Sequence, residues 1–199
     1  MLERLREVPG TVFDRAGYHA DFDREVEKLT GIIWKLERAQ EFREPDDPAW
    51  EAFTAGQWQR ALDVFENERG DIRAEVEQDT QRGIELRRLR VVEHPVVPYL
   101  QWEMHSFKVL AECGVAMRVI DAERVRHLER TEPLPEVVVL GDRVLYEVRY
   151  DDTWAACGAR RIDDPTLIGQ GRQKIASLYE QGEPLLDYFT REIAPLPPP

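Results

Sequence analysis

Arg87, Arg88 and Arg90 crowd one β-forming run, Arg118 lies in a second such run, and His94, Tyr99 and Trp102 follow just beyond the first. A guanidinium is planar, always charged and shaped for bidentate contact with carboxylate or phosphate. Arg88 and Arg118 are therefore read as holders of a small anion. His94 could donate to or accept from that ligand. Tyr99 and Trp102, three apart, share one helix face beside it. The competing reading is structural: the arginines pair with the abundant carboxylates or cover the sheet with their alkyl stems, and the aromatics pack a helix onto it. Arg90 is assigned to that scaffold, and Glu103, which could reach Arg88 or Arg90, is read as a structural ion-pair partner. Arg88, His94, Tyr99, Trp102 and Arg118 are assigned to ligand binding.

The spacing assigns no catalytic residue. His105 and His127 stand too far apart for a local ligand pair and lack a helical His-x-x-x-His or Glu-x-x-His partner, so no metal site is expected. Gly169 and Gly171 form only Gly-x-Gly inside a helical pattern, which is no phosphate loop, and no Gly-x-Ser-x-Gly elbow occurs. Cys113 and Cys157 have no adjacent base and are read as small core residues. No cofactor is implied.

The elements that must position these residues follow from periodicity. Ile84 to Val92, a helical segment with Tyr99 and Trp102 in its first turns, and Val115 to Ile120 read as strand, crossover helix and parallel strand, because the connection is too long for a hairpin. A change of alternation, from Ile84 and Leu86 to Leu89 and Val91, suggests a bulge that turns adjacent arginines to different faces. Val137 to Leu140 and Val144 to Tyr150, around Gly141-Asp142-Arg143, form a β-hairpin, and another strand runs through Trp154 to Ile162. Asp47-Pro48 and Asp164-Pro165 open capped helices. Asp21 could cap a helix from Phe22 to Leu29, and Ile32 to Arg38 reads as a short strand. Trp58, Ala61, Leu62 and Phe65 make an apolar helical stripe that continues, with a break near Gly70, toward Gly83. The fold class is α/β, with a mixed sheet, a crossover and a late hairpin. Residues 1–82 form a helix-rich part docked on the core at 83–193, within a single domain that ends in a Pro-rich disordered tail at 194–199.

A formal charge of −12 over 199 residues argues against a protein whose main task is neutralising phosphates. Nucleic acid is an unfavoured partner, and RNA binding through the arginine strand is the weakest alternative. Short, charged apolar windows and only two cysteines point to a cytoplasmic protein with reduced thiols and no membrane partner.

Trp34-Lys35-Leu36-Glu37, Trp50-Glu51-Ala52-Phe53, Leu89-Arg90-Val91-Val92 and Pro95 through Glu103 occur in an order that resembles a family of small uncharacterised actinobacterial proteins, often encoded near helix-turn-helix regulators. That family in turn resembles a single phospholipase-D-type half. The resemblance implies such a fold and a helix-turn-helix regulator or other protein as partner. It implies no catalysis, because the His-x-Lys with an Asp four residues on is missing: His105-Ser106-Phe107-Lys108 has one residue too many. The leading expectation is a non-catalytic regulatory or interaction module for a small anion or a partner protein. The alternative is an enzyme of natural-product metabolism, a transferase or hydrolase, with His94 as acid/base. Without His-x-Lys to form and hold a phosphohistidine, the purified protein is expected to leave a generic phosphodiester intact. Turnover that disappears on replacing His105 or Lys108 would overturn this.

Overall fold

The computed structural model describes residues 2–199. Four aspartates punctuate the chain. Asp14, Asp47, Asp121 and Asp164 each accept backbone N–H bonds at the start of α1 (Arg15–Val26), α2 (Pro48–Thr54), α6 (Ala122–Val125) and α7 (Pro165–Gln181). Pro48 and Pro165 occupy first-turn positions whose N–H would have had no partner. The remaining helices are α3 (Trp58–Asn67), α4 (Arg69–Gln81), α5 (Pro98–Glu112) and α8 (Leu185–Tyr188).

Strands β1 (Thr11–Asp14), β2 (Gly31–Glu37), β3 (Ile84–Val92), β4 (Ala116–Asp121), β5 (Val137–Leu140), β6 (Val144–Tyr150), β7 (Ala156–Ile162) and β8 (Glu183–Pro184) form one mixed sheet, ordered β1-β7-β6-β5-β2-β3-β4-β8. β2, β3 and β4 are parallel and the β5 to β7 meander is antiparallel. Residues 1–82 thus supply β2, near the middle of the sheet, and the edge strand β1. The tight β5–β6 turn needs a left-handed residue, and Gly141 takes it at φ +54°.

The two sheet faces are covered differently. One carries Trp34, Leu36, Leu89, Val91 and Ile120 against Ile175, Leu178 and Tyr179 of α7. On the other, α1 covers the β6–β7 half while α5 and α8 cover β3 and β4, with α2, α3 and α4 packed outside α5. A helix-free strip of this second face lies between α1 and α5.

Several sequence expectations need correction. Asp21 caps nothing: it is buried inside α1, where it accepts from Tyr146 Oη at 2.7 Å and Arg161 Nη1 at 2.6 Å. The bulge in β3 is absent, since its register with β2 and β4 runs unbroken. The altered alternation arises because the later half of this central strand is buried on both faces. Cys113 is buried, but Cys157 is exposed near the start of β7. The tail is also placed: Ala194 N–H closes a wide turn on the Phe189 carbonyl, and Gln101 Nε2 donates to the Pro197 carbonyl at 2.8 Å. Phe65, rather than the half-buried Trp58, anchors the α3 stripe.

Where β1 joins β7, chain contact leaves no room for a side chain. A Cβ at Gly158 would meet the Phe13 carbonyl oxygen at 2.1 Å. Gly158→Ala is expected to cost about 1–3 kcal/mol by forcing the edge strand outward. Urea denaturation measures it, and an unchanged midpoint would show that β1 contributes nothing to stability.

Candidate functional site

Strand parity decides which arginines can act together. Side chains alternate along a strand, so Arg88 and Arg90 share the α5 face while Arg87 points to α7. In register, Arg118 stands opposite Leu89, and Met117 opposite Arg88. Arg118 therefore lies on the α7 face, donating to the Gly182 carbonyl at 3.0 Å, with its guanidinium 5.1 Å from the Tyr179 ring centroid. The anion pocket expected between Arg88 and Arg118 does not form, because the sheet separates them. His94 joins neither group. It stands beyond the end of β3, 43% exposed, with Nε2 3.8 Å from Asp121 Oδ2. Of the β3 arginines, Arg90 is fully buried, Arg88 is 15% exposed and Arg87 is 30% exposed.

What the fold does assemble is a buried charge cluster on the α5 face. Arg90 Nε donates to Glu103 Oε2 at 2.7 Å. Arg88 Nε lies 2.9 Å from Glu37 Oε2, and Lys35 Nζ lies 2.8 Å from Glu37 Oε1. The Arg88 guanidinium also sits 4.4 Å from the Phe107 ring centroid. Each cation of this cluster is thus committed to a carboxylate of the same chain.

The carboxyls outnumber these cations. Glu44 and Glu136 have no cation at ion-pair distance among the described residues. Tyr99 Oη lies 3.0 Å from Glu44 Oε1 and 3.1 Å from Glu103 Oε1. A phenol has one proton to donate, so one of these two carboxyls must be protonated to satisfy both contacts. Burial pushes both above the ordinary carboxylate range, with Arg90 opposing it at Glu103. At Glu37 burial is outweighed by Arg88, Lys35 and Arg90, which hold its carboxyl down to about 2. Glu136 goes the other way. Burial raises it to about 7, Glu37 adding to the rise and Arg90 opposing it. Its Oε1 accepts from the Arg38 and Ala39 N–H groups at 2.8 and 2.7 Å, tying β5 to the end of β2, but its buried Oε2 has no partner.

The cluster lines a cleft of about 710 Å³, floored by the helix-free strip of sheet. Phe22 and Asp23 of α1 form one wall, Asp79 and Arg82 of α4 with Tyr99, Trp102 and Phe107 of α5 the other. The α1 wall is fixed by the buried Asp21 and Glu25, which Arg161 and Arg143 engage. Trp102 is 3% exposed among Trp50, Phe53 and Phe65, and its buried Nε1 is unpartnered. Of the sequence-assigned residues, then, Arg88, Tyr99 and Trp102 line the cleft, while His94 and Arg118 do not. Glu37, Glu44, Glu136 and Tyr150 were missed, being scattered along the chain. A second groove, about 1010 Å³, lies across Glu136 and Tyr150, and the half-exposed Trp154, at φ +64°, stands among its lining residues. Among the described residues no three His, Cys, Asp or Glu side chains are grouped to hold a metal ion, and no helix is long and apolar enough to cross a membrane.

The raised Glu136 carboxyl gives the fold a pH dependence. Folded, it holds its proton up to about 7, against 4.5 for an ordinary glutamate. Its contribution is therefore fully present below pH 4.5 and lost as pH rises through 7, by of order 3 kcal/mol. Glu136→Gln keeps an oxygen for both N–H donors and cannot ionise. It is expected to match the parent near pH 5 and to exceed it in stability at pH 8, by urea denaturation. Parallel pH profiles would contradict the assignment.

Comparison with known proteins adds a family. No curated protein matches the chain. Among solved structures it is similar to that of TrmBL2, an archaeal chromatin protein showing a novel mode of DNA binding, at 10% identity and a TM-score of 0.42. The match covers 90% of this chain and 55% of that one, so the chain spans about half the length of TrmBL2, and at that distance the likeness informs neither function nor partner. Residues 20–190 match the family described as Domain of unknown function (DUF6879), and the chain belongs to that family.

Proposed function

We propose that this chain is a non-catalytic binding module: a small polar molecule seats in the cleft between sheet and helices, and a partner protein reads its presence. The carrying observation is Glu136 Oε2, buried and without a partner in a cleft of about 710 Å³. Leaving a buried polar atom unsatisfied costs about 1–3 kcal/mol, and one that is kept calls for a reason. A ligand that completes its bonding is such a reason, and the cleft has the size of small-molecule sites. The absence of histidine and cysteine from its lining favours binding over nucleophilic catalysis. A phospholipase-D-like ancestry, with the catalytic pair lost, fits the crossover, late hairpin and closing α7. A cytoplasmic regulatory role fits the acidic composition and the lack of a catalytic signature.

One observation favours a second reading. Glu37 held low and Glu136 held high are two carboxyls with separated proton affinities, the pattern that acid/base catalysis uses. An enzyme built here would act through Glu136, not His94.

Thermal unfolding of the full chain against a library of small polar molecules tests the proposal. A ligand at a hundredfold its Kd stabilises by about 2.7 kcal/mol, roughly 5–10 °C for a chain of this size. Ser106 lines the cleft from α5, so Ser106→Trp is expected to obstruct it and abolish the shift. A shift that survives the block would move the site elsewhere. Conversion of the bound compound during incubation would favour the enzyme.

A further inference from the structure

We infer that the cleft recognises an organic cation, an ammonium or guanidinium group seated between Glu136 and Glu44 against the Phe42 and Tyr150 rings. This deepens the binding reading and rests on it. Lys35 and Arg88 both go to Glu37, and Arg90 to Glu103, which leaves Glu44 and Glu136 as carboxyls without a cation of their own. Glu44, Glu136 and Tyr150 line the same cleft together with Phe42. The Tyr150 ring is stacked on Phe42, centroids 4.8 Å apart at 26°. Tyr150 Oη itself makes no hydrogen bond among the described residues.

Carboxyl oxygens beside aromatic faces are what an organic cation requires: charge-assisted acceptors for its N–H groups and ring quadrupoles for its charge. An anion would find the arginines already engaged and would add to the negative excess of a lining in which Asp23, Asp47, Glu75 and Asp79 join the cluster's carboxyls against Lys35, Arg82 and Arg88. An exclusively neutral guest would leave that excess to be quenched by protons alone. Glu136 feels the charges of Arg90 on β3 and Glu37 on β2 and acts on Tyr150 of β6, while Tyr99 and Glu103 of α5 and Glu44 from the loop before α2 line the same cleft. The Glu136 carboxyl lies at about 7, so a bound cation would displace its proton.

Isothermal titration of the full chain with butylammonium, butyltrimethylammonium and butylguanidinium, against butyramide and butyrate, tests this. At least one cation is expected to bind, about tenfold more tightly at pH 8 than at pH 6, as the ionised fraction of a group near 7 dictates. It should release protons at pH 7, read as a dependence of heat on buffer. Glu136→Gln, and independently Glu44→Gln, should weaken binding at least tenfold, while Lys174→Gln, outside the cleft, should not. Two variants guard against one failing to fold. Binding of butyramide or butyrate as tight as the cations, blocked by Ser106→Trp, would overturn the cation assignment and leave the binding module standing. Failure of all three cations at millimolar concentration would overturn it too, and the library hits of the blocked and parent proteins would then judge the module separately.

Discussion

A guanidinium with no exposure to water, inside a parallel sheet, is the constraint on which the rest of this structure turns. Arg90 cannot be neutralised by losing its proton, so every element around it must bring a negative or polar partner. Glu103 makes the direct contact from α5, which fixes that helix on β3. Tyr99, one turn earlier, extends the contact to Glu44 and so tethers the loop leading into α2. Glu37 on β2 and Glu136 ahead of β5 add their fields from the sheet. Replacing such a pair by apolar residues is often neutral for stability, whereas removing one member costs about 3–5 kcal/mol. Stability alone therefore does not account for the cluster.

The cluster instead accounts for the cleft. Carboxyls gathered around Arg90 exceed the nearby cations, and that excess lies on a strip of sheet that no helix covers. On the far side of the strip, Asp21 and Glu25 of α1 are held by Tyr146, Arg161 and Arg143. Two buried polar networks thus fix two walls, and the floor between them keeps an unpartnered carboxyl oxygen. A rigid frame around an unpartnered carboxyl group is the arrangement of a preorganised binding site.

Much of the scaffold was legible from local chemistry. Asp47-Pro48 and Asp164-Pro165 announce their helices because cap and first-turn proline act within three residues. The crossover between β3 and β4 follows from a connection too long for a hairpin, and the β5–β6 hairpin from a glycine where a left-handed residue is needed. The edge strand β1 was not legible, since four residues at the rim of a sheet carry no alternation to read. Asp21 misled because a short acidic residue ahead of an apolar series looks like a cap whether or not the helix begins earlier. At the site, an ion pair of Glu103 with Arg88 or Arg90 could be anticipated from its position one turn beyond Tyr99, and it is Arg90 that makes the contact. The face on which Arg118 sits could not, because parity is local to a strand while register between strands is set by the whole sheet. Glu136 carried one weak signal, an acid standing directly before the fully buried run Val137 to Leu140.

The central claim is that this fold keeps a carboxyl in reserve, protonated when the cleft is empty. Carbon-13 NMR of the glutamate side-chain carboxyls, followed from pH 4 to 9 in the full chain without ligand, tests it most directly. The account requires one resonance titrating near 7 that is missing from Glu136→Gln, while the resonance of Glu37 stays ionised throughout. If every glutamate carboxyl titrates below pH 5, Glu136 is an ordinary solvated acid, and the reserved carboxyl and the site built on it fall together.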